Sequence, residues 1–202
     1  MALPGLELIL ASASPRRAEL ISQLGVRCLI RPANIDEKVL KNELAQDYVR
    51  RLAQEKSEAS AEQEEFAVLA ADTVVVSSGD ILGKPENAED AQRMLWRLSG
   101  GWHEVYTGIA LRAKGLQSAV VVSRVKFKAL SEEEIDRYLM TPEPFDKAGA
   151  YGIQGLGALF VERIEGSYSN VMGLPLFETE ALFARSGLSL WRFRDEERDC
   201  EN

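Results

Sequence analysis

A chain of 202 residues, 46% of them hydrophobic, can bury a real core as one domain or two small lobes. A formal net charge of −8 excludes a non-specific polynucleotide binder built on a basic face, so any phosphate ligand must occupy a local basic pocket. Two cysteines, Cys28 and Cys200, with no Cys-x-x-Cys spacing, exclude a disulfide framework and a zinc pattern and fit a reducing, cytoplasmic setting.

The stretch Leu8-Ile9-Leu10-Ala11-Ser12-Ala13-Ser14-Pro15-Arg16-Arg17 opens on an apolar run too short for anything but a buried strand. Ala11-Ser12-Ala13 mimics a cleavage site, but no basic segment precedes it, Glu7 interrupts the approach and the run is short, so no signal peptide is expected. No apolar run approaches membrane-spanning length. Ser14 suits a helix N-cap, Pro15 the first helical position, Leu20, Ile21 and Leu24 share a face, and Gly25 ends the helix. Free N–H groups at that helix start, beside Arg16 and Arg17, favour an anion such as phosphate. A solvated basic helix start is the plainer alternative.

Arg27 to Arg31 reads as a second strand, broken by Pro32-Ala33-Asn34. Asp36-Glu37 follows in a loop, where an acidic pair is ordinarily just solvated. Leu44, Tyr48, Val49, Leu52 and Ala53 predict an amphipathic helix from 43 to about 61. Lys56 continues its apolar stripe, so it either snorkels outward or points into a pocket. Phe66 to Val76 is a buried strand interrupted by Asp72-Thr73. A buried carboxylate is costly unless partnered, which favours Asp72 as a site residue over a turn cap at a strand end. Ser78-Gly79-Asp80 is a hairpin turn leading into Ile81-Leu82, and Gly83-Lys84-Pro85 lacks the spacing of a Walker loop.

Asn87 caps a helix whose core face is Ala91, Met94, Leu95 and Leu98, ended by Gly100-Gly101. Two long strands, about 102–113 and 117–128, form a hairpin across Lys114-Gly115. His103 is the sole histidine and has no nucleophile nearby, so a surface or strand-packing role is expected. Ser131 and Glu134 make a capping box for a helix through Met140, followed by the rigid Thr141-Pro142-Glu143-Pro144. The glycine-dense run Asp146 to Gly155 lets backbone approach a ligand or makes a tight corner; it is not a dinucleotide fingerprint. Leu159 to Ile164 is the final strand, Leu174-Pro175 begins a last helix to about Arg185, and Arg192 to Asn202 is a charged, frayed tail. The order β-α-β-α-β, then hairpins and helices, predicts α/β with a mixed sheet.

The motifs Ser12-Ala13-Ser14-Pro15-Arg16-Arg17, Asp36-Glu37, Glu55-Lys56, Ala71-Asp72-Thr73, Gly83-Lys84-Pro85, Thr107-Gly108 and Asp146 to Gly155 occur in order over roughly residues 8–185. Each is weak, but the ordered set resembles the Maf nucleoside triphosphate pyrophosphatases, also called septum-formation-inhibitor proteins. Ser57 stands where alanine is commoner. The resemblance implies a single domain over residues 1–190 with a charged tail over 191–202. It also implies a bent mixed sheet with flanking helices and a cleft between two lobes, akin to inosine triphosphate pyrophosphatases. A homodimer and a divalent cation, magnesium or manganese, are implied too. The implied reaction is NTP + water → NMP + pyrophosphate. Asp72, aided by Glu37, would hold the metal or activate water, with Asp72 as the catalytic carboxylate. Lys56, Lys84, Lys147, Arg17 and Ser12 would hold the phosphates.

Three positions divide the family by base. The branch resembling dTTP/UTP pyrophosphatases has Arg, Thr and Gln there, and the branch acting on 7-methyl-GTP typically Trp, Gln and Glu. Here they are Arg16, Thr73 and Gln154, which can match the carbonyls and N–H of a neutral pyrimidine but have little to hold a cationic purine. The expected substrates are dTTP and UTP, with modified pyrimidine triphosphates also accepted. Excluding such nucleotides from incorporation, with a link to cell-division arrest, is the role this would imply. A non-catalytic nucleotide sensor acting in septum formation is the alternative, and a single-strand nucleic-acid binder ranks last.

Overall fold

The computed structural model describes residues 7–61 and 66–194. In chain order the elements are β1 (Glu7–Leu10), α1 (Pro15–Gln23), β2 (Leu29–Ile30), α2 (Ala45–Ala59), β3 (Phe66–Ser77), β4 (Asp80–Leu82) and α3 (Ala88–Leu98). Then come β5 (Trp102–Arg112), β6 (Leu116–Phe127), α4 (Glu132–Leu139), β7 (Val161–Glu165), α5 (Tyr168–Met172) and α6 (Leu176–Arg185). The strands form one mixed sheet, ordered β2-β1-β3-β5-β6-β7 with β4 also on β3; β2, β1 and β3 are parallel and the other pairings antiparallel.

The central strand is β3, and its alternation sorts the helices. Ala67, Leu69, Ala71 and Val75 face a core that includes Leu20 and Ile21 of α1, Leu95 of α3 and Phe183 of α6. Val74 and Val76 face Tyr48, Val49 and Leu52 of α2 on the opposite side. Covered on both faces, β3 reads as a near-continuous apolar run. Gly108 of β5 lies opposite Asp72 of β3, and a Cβ there would stand 2.1 Å from the Val49 carbonyl oxygen. Helix α2 therefore rides directly on bare backbone, which no other residue allows.

This topology makes a crevice. From β1 the chain passes through α1 to β2 on one side, then through α2 to β3 on the other, so the carboxyl end of β1 is a switch point of the kind where α/β sheets bind ligands. Strand β1 pairs only Phe66 to Leu69, and β4 pairs Val75 to Ser77. Because β5 occupies the other edge of β3, residues 70–74 face an opening between the ends of β1 and β4.

Several local expectations change. Ser14 sits at the N-cap of α1 without a side-chain cap bond, and instead its N–H donates to Ser12 Oγ at 3.2 Å. The second strand shrinks to Leu29–Ile30, because Arg27 N–H turns to the Phe193 carbonyl at 2.8 Å and Val26 bridges Arg194. That same contact orders Arg192 to Arg194, expected to fray; residues 195–202 lie outside the described residues. The last strand begins at Val161 because Leu156–Phe160 is a 3-10 turn, and the last helix begins at Leu176 after the unforeseen α5. His103 is buried in the core, which settles its two expected roles in favour of strand packing.

Candidate functional site

A cleft of about 480 Å3 opens at the switch point, walled by the Ala11–Arg17 loop and helix start, the open edge of β3, the Gly83-Lys84 turn and the Asp146–Gln154 loop. Asp72 points to the α2 face. Its Oδ1 accepts from Lys56 Nζ at 2.7 Å, and the same ammonium lies 2.7 Å from Glu37 Oε1. Asp72 and Lys56 are almost fully buried, whereas the Glu37 side chain is 48% exposed. The Tyr48 hydroxyl donates to the Glu37 carbonyl at 2.8 Å and so pins the loop carrying it. Burial pushes the Asp72 carboxyl above its ordinary range, partly opposed by Lys56 and Arg17. Lys56 therefore points into the pocket, and Asp72 sits mid-strand rather than at a strand end.

Thr73 points to the opposite face, where its Oγ1 lies 2.9 Å from Thr107 Oγ1. Arg17 ties this wall together. Its Nη2 donates to Thr73 Oγ1 at 3.1 Å, its Nη1 to Ser12 Oγ at 3.0 Å and its Nε to the Gly173 carbonyl at 2.8 Å. The guanidinium is buried with neutral acceptors, and that burial lowers its pKa. Gly173 takes φ +105°, and a Cβ on it would press Thr73 Oγ1 at 3.2 Å. Ser12 is buried and already accepts two donors.

The third wall is the glycine-dense loop. Arg16 Nη1 reaches across to Asp146 Oδ2 at 3.0 Å, and Lys147 Nζ donates to Asp146 Oδ1 and to the Glu143 carbonyl. Burial opposes ionisation of Asp146, but Lys147 and Arg16 outweigh it and hold the carboxyl below its usual range. Gly149 N–H donates to the Gly83 carbonyl at 3.0 Å, joining this loop to the turn that presents the exposed Lys84. Gln154 is exposed at the loop tip, on the cleft.

All the residues singled out from the sequence thus line one cleft: Ser12, Arg16, Arg17, Glu37, Lys56, Asp72, Thr73, Lys84, Lys147 and Gln154. Sequence reasoning missed Tyr48, whose hydroxyl fixes Glu37, and Asp146, which pairs with both Arg16 and Lys147. It also missed Glu143, which receives the backbone of the late loop. The doublet Asp146-Lys147 was the one available signal for Asp146. Among the described residues no group of three or more His, Cys, Asp or Glu converges into a cage for a metal. Two carboxylates on one cleft fit a cation that takes its remaining ligands from substrate phosphate and water.

Three dTTP/UTP pyrophosphatases resemble this chain closely. The one from Hahella chejuensis is 55% identical over 189 residues, 91% of this chain and 94% of that protein. Those of Methylobacillus flagellatus and Myxococcus xanthus are each 54% identical, covering 90% and 92% of this chain and 93% and 95% of theirs. A HAM1 protein structure from Coxiella burnetii is a distant likeness, with 16% identity and a TM-score of 0.49 over 93% of this chain and 95% of that one. The family model described as Maf-like protein matches residues 7–186. That span contains every wall of the cleft, so the chain belongs to the Maf-like protein family.

Proposed function

We propose that this protein is a nucleoside triphosphate pyrophosphatase that hydrolyses dTTP and UTP, and modified pyrimidine triphosphates, to the monophosphate and pyrophosphate. The observation that carries this reading is the buried Asp72–Lys56 pair, joined by Glu37, sharing a cleft with Arg16, Thr73 and Gln154. Relatives at 54% and 55% identity that are dTTP/UTP pyrophosphatases support it. One domain over residues 1–190 carries the activity.

Water attacks the α-phosphorus, forming the new P–O bond as the bond to the β-phosphate oxygen breaks and pyrophosphate leaves. Asp72 accepts the water's proton. Lys56 holds Asp72 in place and faces the phosphates; Lys84 and Lys147 neutralise the leaving pyrophosphate. Arg17 acts chiefly by shaping the phosphate wall, since protein acceptors already engage its guanidinium, whereas Ser12, which accepts two protein donors, keeps its own O–H to donate to a phosphate oxygen. Asp72 and Glu37 would hold a divalent cation, Mg2+ or Mn2+, which would supply charge neutralisation at the phosphates. Arg16, Thr73 and Gln154 meet the base. The family resemblance implies a homodimer, and the cysteine usage fits a cytoplasmic setting. No helix among the described residues is long and apolar enough to cross a membrane.

The test is a panel of nucleoside triphosphates with Mg2+ or Mn2+, read as pyrophosphate and monophosphate release. The expected order by kcat/KM is dTTP and UTP first, with dATP and 7-methyl-GTP poor. Tight binding without monophosphate product would overturn the reading in favour of a nucleotide sensor, and a leading purine would overturn the base assignment.

A further inference from the structure

The loop that carries Lys147 and Gln154 is built around a carboxylate on the preceding turn, Glu143. Its Oε1 accepts from the Tyr138 hydroxyl at 2.8 Å and from Gly157 N–H at 2.9 Å, and its Oε2 accepts from Leu156 N–H at 2.9 Å. Its backbone carbonyl accepts from Lys147 Nζ at 2.8 Å. The Tyr138 oxygen in turn accepts from Gly152 N–H at 3.1 Å, and Gly155 N–H closes on the Gly152 carbonyl at 3.2 Å. Residues 152–155 are therefore one turn, pinned on both sides to the Tyr138–Glu143 pair. Ile153 is buried in it and Gln154 is exposed at its tip.

The glycines of this loop record the same packing. A Cβ on Gly155 would lie 2.1 Å from Glu143 Oε2, one on Gly152 2.9 Å from Oε1, and one on Gly157 3.0 Å from the Tyr138 hydroxyl. The backbone lies against the carboxylate and its tyrosine with no room for a side chain between them. Three donors converge on Glu143, and a carboxylate takes them all because it has no donor of its own. A carboxamide would turn its NH2 against an N–H. Burial opposes ionisation here, but the Gly157 and Leu156 N–H groups, with Tyr138 and Lys147, outweigh it and hold the carboxyl below its ordinary range.

We infer that Glu143 is a positioning residue for base discrimination: by fixing the 152–155 turn it sets where Gln154 meets the nucleotide base. This rests on the pyrophosphatase reading above. Asp72 on β3 and Lys56 on α2 do not touch this turn, and Lys147 Nζ is held by the Glu143 backbone carbonyl and by Asp146, which Glu143→Gln leaves in place, so loosening the turn acts on base recognition and spares the attack on phosphorus.

The experiment compares wild type, Glu143→Gln and Tyr138→Phe, measuring kcat and KM for dTTP, UTP and dGTP and amide hydrogen exchange at Gly152, Leu156 and Gly157. In Glu143→Gln the Leu156 and Gly157 amides should exchange at least about tenfold faster. KM for dTTP should rise about tenfold, kcat should change less than about threefold, and the kcat/KM preference for dTTP over dGTP should fall about tenfold. Tyr138→Phe should move the same quantities less, with exchange rising at Gly152, and its effect should not add to that of Glu143→Gln. If Glu143→Gln fails to fold, Tyr138→Phe carries the test alone. A uniform loss of kcat with the dTTP preference intact overturns the inference, as does unchanged exchange at the tied amides. Wild-type turnover decides the functional reading separately: a wild type that cleaves dTTP beside variants with unaltered preference refutes only the role given to Glu143.

Discussion

Replacing Asp72 by asparagine removes one charge from the cleft while keeping its shape. Asp72 and Lys56 have side chains only 10% and 9% exposed and meet at 2.7 Å. Stripping a buried cation of its sole partner costs about 3–5 kcal/mol. Here the Lys56 ammonium keeps Glu37 at 2.7 Å, and an asparagine oxygen still accepts from it. Burial also disfavours the Asp72 charge in the wild type, so the variant should lose only about 1–2 kcal/mol of stability. That is well within the roughly 5–15 kcal/mol of an ordinary domain. The effect on chemistry is much larger. Losing a positioned general base removes about 100- to 10,000-fold in rate, or roughly 3–5 kcal/mol of barrier lowering.

The assay is pyrophosphate release from dTTP at saturating substrate and Mn2+, alongside urea unfolding of both proteins. Asp72→Asn should lose at least about 100-fold in kcat with a small shift in unfolding midpoint. In the wild type, kcat/KM should fall as pH drops through the range where Asp72 takes up a proton, because the base must be unprotonated to accept one; the variant should lack that limb. Turnover within about threefold of wild type in a folded variant would refute the assignment. Asp72 would then be a structural partner of Lys56 and nothing more.

Burial lowers the His103 pKa from 6.5 to about 4. The histidine is neutral in the folded protein and must charge on unfolding in acid, so its contribution is complete above pH 6.5. As pH falls from there towards 4, about 3 kcal/mol should be lost; urea titrations of wild type and His103→Gln test this, and equal pH slopes would contradict it. Gly108→Ala drives a methyl to within 2.1 Å of the Val49 carbonyl oxygen and should cost at least about 3 kcal/mol, read as a lowered unfolding midpoint. The triple exchange Arg16→Trp, Thr73→Gln, Gln154→Glu should move the kcat/KM preference from dTTP towards 7-methyl-GTP by at least about tenfold. An unaltered preference would show that these positions do not read the base.

The elements legible in the sequence were those whose signals are local. Ala91, Met94, Leu95 and Leu98 marked the buried face of α3, and Asn87 caps it by accepting Asp90 N–H at 2.9 Å. The Ser131–Glu134 capping box forms at the start of α4. The Ser78-Gly79 turn joins β3 to β4, with Ser78 at φ 50° and Gly79 at φ 86°, as two-residue hairpin loops require. The misread elements answer to distant chain. Leu29 and Ile30 are exposed, and the backbone just before them bonds to Phe193 and Arg194, a pairing no local period encodes. Helix α5 is a single short turn capped by Ser167 and Gly173, too brief to display a repeat.

The candidate site divides along the same principle. Asp72 and Lys56 were visible because each violates a pattern, an acid inside an apolar strand and a lysine inside an apolar helical stripe; the structure joins the two anomalies in one ion pair. Glu143 and Asp146 lie on a short turn that has no period to violate, so no pattern marked Glu143, and only the Asp146-Lys147 doublet pointed to Asp146. Yet Asp146 shapes the charge of the cleft. It pairs with both Arg16 and Lys147, and Asp72 and Glu37 pair with Lys56, so the cleft shows less positive charge than its cation count implies, while Arg17 keeps its charge among neutral acceptors. Lys84, exposed and without a carboxylate partner among the described residues, is the cation most open to an arriving phosphate. On the proposed reading, a triphosphate must draw Lys147 away from Asp146, because a second anion beside that carboxylate is repelled. Binding is therefore an exchange of anions at Asp146, in which the incoming phosphates replace a carboxylate that the fold itself supplies.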